Sequence, residues 1–349
     1  MDILIVKISA IGDVIQCFDV LEYLREKFPN CNIDWVVSKP AFGLVSSHPL
    51  VRKAICFDFN KKFLKNLKLS KIGKFYKELR CKSYDVVFDL QGNCKSGLIT
   101  LCSKAKDKVG FGFKTVSEWP NIFATFFQYN PSKGINIKWQ YLQVIQKYFR
   151  DEKEFVAKNR LLNIDKMAKK QIELILKNET LKNRIKILVS PSSRWKNKEL
   201  GINTLSNFLS EISENLTVSY LFLWGTREEK RSADYLHSLF KANSTVLDRL
   251  ELSTLQNLIH RLDIVIAMDS CILHLTGSAN TPSFSVFGPT LSHVYKPPYE
   301  KHLAYQGKCP KGKVFVKRCP LLRSCSTPIC MQGINYKDLY ALFSSISFD

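Results

Sequence analysis

Apolar positions along the chain fall in short unbroken runs separated by longer amphipathic stretches. The runs are Ile3–Ile8, Ile33–Val37, Lys53–Phe57, Tyr84–Leu90, Lys186–Val189, Val218–Leu223, Ile264–Met268 and Ser283–Phe287. Each is β-branched or aromatic with little alternation, the pattern of a strand covered on both faces of a parallel sheet. Helical periodicity lies between them, over Val14–Lys27, Lys95–Lys104, Trp139–Arg150, Lys166–Asn178, Ile202–Ser213, Glu228–Phe240 and Leu252–His260. Such alternation predicts a doubly wound α/β architecture. The charged, aperiodic stretch Asp151–Asp165 reads as a linker. The expected domains are residues 1–160 and 161–335, with residues 336–349 forming a final helix that packs back on the first domain. Ligands of such folds sit at the carboxyl ends of the strands.

Composition narrows this picture. With 45% hydrophobic residues, the 349-residue chain can bury sizeable cores and is not a disordered protein. No run reaches the ~18 apolar residues of a membrane span. Met1–Ile8 lacks the basic start and cleavage site of a signal peptide, so a cytoplasmic protein is expected. Eleven cysteines are too few for a disulfide scaffold of this length and are expected to be reduced thiols. The formal charge of +21 points to a polyanionic partner: nucleic acid, an anionic membrane or a phosphorylated substrate. Lysine-rich drift explains it equally well.

The chain has no G-x-x-x-x-G-K-[ST], no complete G-x-G-x-x-G and no H-E-x-x-H, which argues against a P-loop NTPase, a typical dehydrogenase and a zincin. Three strand-to-helix turns carry candidate chemistry. In Ser9-Ala10-Ile11-Gly12-Asp13, Asp13 is placed either to N-cap a helix starting at Val14 or to act as a general base on a sugar hydroxyl. Nearby Lys7 is a candidate for an anionic acceptor. In Ser190–Lys198, hydroxyls, backbone N–H groups and lysines suit a diphosphate, and a polar loop is the plain alternative. In Met268–Thr276, Asp269 and Ser270 open a helix that can face phosphate, with His274 one turn in, where a packed core histidine is the commoner role.

Taken together these turns resemble glycosyltransferase family 9, the ADP-heptose:lipopolysaccharide heptosyltransferases, and most resemble its type I members. The likeness runs from Met1 to Thr290. It is carried by Ile3–Lys7 with Ser9 and Gly12-Asp13-Val14-Ile15, Asp34-Trp35-Val36-Val37, and Tyr84–Gly92 with Lys95-Ser96. In the second half it is carried by Ser193-Arg194-Trp195 with Lys198, Trp224-Gly225 with Glu229, Asp269-Ser270 with His274-Leu275-Thr276, and Phe287-Gly288-Pro289-Thr290. The resemblance implies a GT-B fold, two Rossmann-like domains facing a cleft. It implies inverting transfer of heptose from ADP-heptose to the Kdo region of the lipopolysaccharide inner core, with no cofactor and no catalytic metal. Asp13 would be the base and Lys198 would stabilise the leaving group. Ser192, Ser193, Lys198, Glu229, Asp269, Ser270, Cys271 and His274 would line the donor site. Lys7, Lys61, Lys65, Gln91 and Lys95 would meet the anionic lipid-linked acceptor, Kdo-lipid A.

Four positions depart from the family pattern. Cys271 replaces the signature glycine and Leu200 an aromatic residue. Ser117 stands where an Arg is expected, and Lys138 about where a His is expected. A different sugar donor or glycan acceptor on the same fold is therefore the alternative. A basic nucleic-acid-binding protein is a third reading, but no nucleic-acid module is recognisable and no such partner is expected. The lysine-rich stretch Lys61–Arg80, in which Gly73 is a potential helix breaker, is expected to dock on the anionic inner leaflet, making the enzyme peripheral on its cytoplasmic face. Cys309, Cys319, Cys325 and Cys330 lack the paired C-x₂-C spacing of a zinc ribbon, so free thiols are expected there.

Overall fold

The computed structural model describes residues 1–58 and 69–348. They form two compact units, Met1–Asn163 and Ile164–Asp349. The first unit holds β1 (Asp2–Val6), β2 (Asn32–Ser38), β3 (Lys53–Phe57), β4 (Tyr84–Asp89), β5 (Ala105–Phe111) and β6 (Phe127–Tyr129). The second holds β7 (Ile185–Ser190), β8 (Val218–Phe222), β9 (Ser244–Val246), β10 (Ile264–Met268), β11 (Ser283–Phe287) and β12 (His302–Gln306). The strand orders are β3-β2-β1-β4-β5-β6 and β12-β11-β10-β7-β8-β9. Read from its own first strand, each sheet has the same order, and every pairing is parallel. All residues of β8, β10 and β11 are buried, as expected of strands covered on both faces.

The eight expected strands are present within two residues of their expected ends. β5, β6, β9 and β12 were not expected. β5 opens with Ala105-Lys106-Asp107-Lys108, whose charges mask an apolar run. β6 and β9 have three residues each, and with β12 they lie at sheet edges, where half-exposure dilutes the pattern.

Three local expectations are corrected. The helix expected from Val14 begins at Ile11 and is two helices, Ile11–Ile15 and Phe18–Lys27. Gly73 does not break its segment: the helix Leu69–Leu79 runs through it. That helix turns Phe75 against Phe57 and buries Leu79, so its apolar face outweighs the propensity penalty of one glycine, about 1 kcal/mol. The final helix, Tyr336–Phe343, was expected to return to the first domain. Its Leu339 and Phe343 are instead fully buried in the core of the second unit. Phe343 meets Phe208 and Phe284 edge-on, with centroids 5.6 and 5.5 Å away.

Among the described residues no helix is long and apolar enough to cross a membrane. Lys61, Lys65 and Lys68 of the basic stretch lie outside the described residues, whereas Lys71, Lys74 and Lys77 are exposed. The docked C-terminal helix yields a stability prediction. Phe343→Ala should destabilise the second unit by about 3–5 kcal/mol, measured by denaturant unfolding. A change below about 1 kcal/mol would mean that the ring is not in the core.

Candidate active site

In the first unit one side chain ties together the carboxyl ends of β1 and β4. Gln91 follows β4, and its Oε1 accepts the N–H groups of Ile8 (3.1 Å) and Ser9 (3.0 Å) beyond β1. Buried Asp89 sets the turn that carries Gln91. Its Oδ1 accepts from the backbone of Gln91 (3.0 Å) and Gly92 (2.9 Å), and its Oδ2 from the Asn121 amide (2.7 Å). Burial pushes the Asp89 carboxyl upward, and these donors oppose the shift. Gly92 adopts φ 70°, a conformation that other residues rarely take, and a Cβ there would lie 3.1 Å from Phe111.

Asp13 does not N-cap a helix starting at Val14. Ala10 holds the N-cap position and Asp13 is the third helical residue. Its Oδ2 reaches back to the Ala10 N–H at 3.0 Å, half of a capping box. The carboxylate is half-buried at the strand end. Lys7 is buried, and its Nζ donates to the Leu90 carbonyl (3.0 Å) and the Tyr141 hydroxyl (2.8 Å). Trp35, of the Asp34-Trp35-Val36-Val37 motif, donates its indole N–H to the Lys7 carbonyl. Asp34 meets Arg52 through two 2.8 Å bonds, so this motif builds the sheet. Lys138 is also internal: its ammonium pairs with Asp19 at 2.7 Å, with both side chains buried. A cleft of about 420 Å³ opens beside this turn, lined by Ser9, Ser38, Phe57, Asn93, Lys95 and Glu118 among others. Lys95 is exposed there, and Lys61 and Lys65 lie outside the described residues.

In the second unit the corresponding strands, β7 and β10, are tied by an ion pair. Lys198 Nζ lies 2.5 Å from Asp269 Oδ2, and Thr290 donates to the same oxygen at 2.6 Å. Ser193 donates its hydroxyl to the Asp269 carbonyl (3.0 Å) and its backbone N–H to Glu199 (3.0 Å). Burial raises the Glu199 carboxyl pKa. Ser192 is half-buried beside Ser193. His274 is buried, with Nε2 3.9 Å from Asp269 Oδ1. Ser270 N-caps the helix Cys271–Ser278. Among the described residues its hydroxyl is shielded from solvent and has no hydrogen-bond partner. Glu229 closes a capping box with Thr226, and its carboxylate accepts from Gly225 (2.6 Å) and Thr226 (2.9 Å). Its charge reaches Cys271. Ser192, Ser193, Lys198, Glu229, Asp269, Ser270, Cys271 and His274 thus converge on the carboxyl ends of β7, β8 and β10. The helix terminus, an ammonium and an unmatched hydroxyl suit an anion.

The sequence profile of glycosyltransferase family 9 (heptosyltransferase) matches residues 72–323. The chain belongs to this family. This family-9 glycosyltransferase is 27% identical over 303 residues to lipopolysaccharide heptosyltransferase 1 of Campylobacter coli, covering 84% of its own length and 85% of the relative's. It is similar in fold to the Escherichia coli heptosyltransferase WaaC with ADP-2-deoxy-2-fluoro heptose, with a TM-score of 0.73 and 20% identity over 88% of this chain and 93% of that one. A glycosyltransferase family 9 protein from Veillonella parvula superposes with a TM-score of 0.78 and 14% identity, covering 99% and 96% of the two chains. The two parallel six-stranded units are those of the GT-B fold.

Residues beyond the expected set also build the glycosyltransferase's strand ends. Thr290 was visible only as part of the Phe287–Thr290 turn, and nothing local in the sequence ties it to Asp269, 21 positions away. Glu199, which accepts from Ser193 within the same loop, and Asn121, whose partner Asp89 is 32 positions away, were not singled out. The late cysteines Cys309, Cys319, Cys325 and Cys330 line one cavity of about 50 Å³ and are free thiols. Among the described residues no group of three or more His, Cys, Asp or Glu is placed to hold a metal ion.

Cys271 occupies the signature-glycine position, and burial pushes its thiol up to about 11. At pH 8 only about one in a thousand such groups is thiolate, the reactive form. Iodoacetamide at that pH should therefore label exposed Cys81 well before Cys271, with Cys271 reactivity rising toward pH 11, as read by peptide mass spectrometry. Equal labelling rates at pH 8 would contradict a thiol held neutral at that pH.

Proposed function

We propose that this glycosyltransferase moves heptose from ADP-heptose to the Kdo region of the lipopolysaccharide inner core, with inversion at the anomeric carbon. The observation that carries the reading is the Lys198–Asp269–Thr290 cluster beside the unmatched Ser270 hydroxyl. It supplies a held cation and unused donors where a diphosphate would sit at strand ends. The relatives support the chemistry: one is a lipopolysaccharide heptosyltransferase, and one solved structure of this fold holds an ADP-linked fluoro-heptose.

In the proposed reaction an acceptor hydroxyl attacks C1 of the heptose from the face opposite the diphosphate. The C1–O bond to the β-phosphate breaks and ADP leaves with the electron pair. Asp13 takes the hydroxyl proton as attack proceeds. Lys198, with the Ser192 hydroxyl, stabilises the charge growing on ADP, while Ser193, whose hydroxyl is bonded to the Asp269 carbonyl, holds the loop that carries them. Asp269 and Thr290 fix the lysine in advance, so little reorganisation is needed at the transition state. Ser270, Cys271 and His274 face the donor sugar and phosphates, and Glu229 faces the ribose. Neutral at physiological pH, the Cys271 thiol does not repel a phosphate.

On the acceptor side Lys95, Lys61 and Lys65 meet the anionic glycolipid. Lys7 and Gln91 act from beneath, holding the turn at which Asp13 stands. No cofactor is invoked, and the enzyme works at the cytoplasmic face of the inner membrane. A different acceptor is the second reading. It is favoured by Lys138, whose charge is used internally against Asp19, and by exposed Ser117.

The test is incubation with ADP-heptose and Kdo-lipid A, read by mass spectrometry. Wild type should add one heptose. Asp13→Asn should fold normally and lose transfer by about 10²–10⁴-fold, the usual contribution of a general base. Near-full activity in that variant would remove Asp13 from the role, and absence of product with wild type would reject the substrate pair.

A further inference from the structure

The first unit presents an apolar surface that its own folding does not require. Leu98 and Leu101 stand on one face of the helix Cys94–Cys102. Trp119 and Phe123 stand on the adjoining 3₁₀ turn, Trp119–Ala124, with ring centroids 5.9 Å apart. Phe126 follows. Trp119, Phe123 and Phe126 leave 59%, 70% and 72% of their surfaces exposed, and Leu98 and Leu101 leave 64% and 51%. The two elements are in close contact, since a Cβ on Gly97 would lie 3.0 Å from the Asn121 amide and 3.3 Å from Ala124 Cβ. Leu98 and Leu101 therefore stand on an element that adjoins the one carrying Trp119 and Phe123, with Phe126 two residues beyond it.

That surface is held rigidly from below. Asn121 is buried under it, and its amide donates to Asp89 (2.7 Å) and to the Asn93 carbonyl (2.9 Å). Phe126 donates its N–H to the Lys108 carbonyl, and Gln128 donates to the carbonyls of Ile122 and Thr125. A polar anchor beneath and bulky apolar groups above is a built display, the reverse of ordinary burial. The exposed charge of this stretch is mostly positive. Within residues 94–127, Lys95, Lys104, Lys106 and Lys114 are exposed, against a single exposed carboxylate, Glu118. Exposed aromatic and leucine side chains in a stretch that also exposes four lysines match the interfacial zone of an anionic bilayer, where indole and phenyl rings settle at headgroup depth and lysines meet phosphates.

The position is equally informative. Cys94, Lys95 and Glu118, at the start of these two elements, line the 420 Å³ cleft beside the Gln91 turn. A surface that inserts there would present the cleft to a lipid headgroup without lifting its acyl chains from the membrane. We propose that the Leu98–Leu101–Trp119–Phe123–Phe126 surface is the membrane-docking element of this enzyme and inserts into anionic lipid beside the acceptor cleft. This rests on the proposed lipid-linked acceptor. It also moves the main membrane contact from the Lys61–Arg80 stretch to the 94–127 region.

Co-sedimentation of the full chain with vesicles tests it, using phosphatidylcholine alone or mixed with about one third phosphatidylglycerol. Wild type should partition onto the anionic vesicles and release at high salt. Trp119→Ser with Phe123→Ser should lower the partition coefficient by about tenfold or more, and Lys104→Glu with Lys106→Glu should lower it comparably. Transfer to a soluble, deacylated Kdo acceptor should stay at the wild-type rate in both variants, which also shows that they fold. Vesicle binding unchanged by the aromatic pair would overturn the proposal. So would a wild-type dimer that these substitutions dissociate, because a second copy would then cover the surface. A wild type that binds vesicles but transfers no heptose would leave the docking surface standing and reject the substrate assignment alone.

Discussion

Each unit depends on how the loops after its first and fourth strands are joined across the point where strand order reverses. In a doubly wound sheet the connections diverge there to opposite faces, leaving a crevice at the carboxyl ends. Left open, it would expose backbone donors and let the two loops move independently. The first unit closes it with a neutral bridge, Gln91 to Ile8 and Ser9. The second closes it with a charged one, Lys198 to Asp269. In both, an aspartate at the end of the fourth strand organises the turn, Asp89 in one and Asp269 in the other. The difference in charge matches the proposed division of labour. A neutral bridge steadies the loop that carries a proton acceptor, and a held cation waits where negative charge must be received.

Buried charge is managed consistently around these bridges. Lys7 is held by a carbonyl, a phenol and the face of the Tyr141 ring, 4.5 Å away. Lys138 pairs with Asp19, and Asp34 with Arg52. Removing one member of such a pair leaves an uncompensated charge in the interior, so these residues constrain the shape of the strand ends even where they touch no substrate. The exposed apolar surface around Trp119 shows the opposite economy, since the Asn121 side-chain nitrogen buried beneath it donates to Asp89 and to the Asn93 carbonyl and so helps hold it out.

Much of this was readable before any coordinates. The central strands are continuous apolar runs because both of their faces are covered. The short edge strands β6 and β9 have too few residues to establish a period. The candidate residues of the second unit could be singled out because each stands at a strand end inside a recognisable turn. What the pattern could not convey is how a polar group is used. Lys7 and Gln91 have the chemistry of ligand-binding residues, yet the fold turns their polar atoms onto its own backbone. Asp13 was one candidate for two roles, and its place at the third helical position depends on a helix start that Ala10 gives no capping signal for. The pairing of Thr290 with Asp269 is a tertiary fact, set by the register of β10 against β11.

The claim on which the account turns is that Lys198 receives the second phosphate of the nucleotide. Calorimetric titration of ADP and AMP into wild type and into Lys198→Met, which keeps the aliphatic stem, tests it most directly. Wild type should prefer ADP. The variant should lose about 1.5–3 kcal/mol of ADP affinity, the worth of a hydrogen bond to a charged group, with AMP affinity nearly unchanged. A variant that keeps the full preference for ADP over AMP would contradict the account.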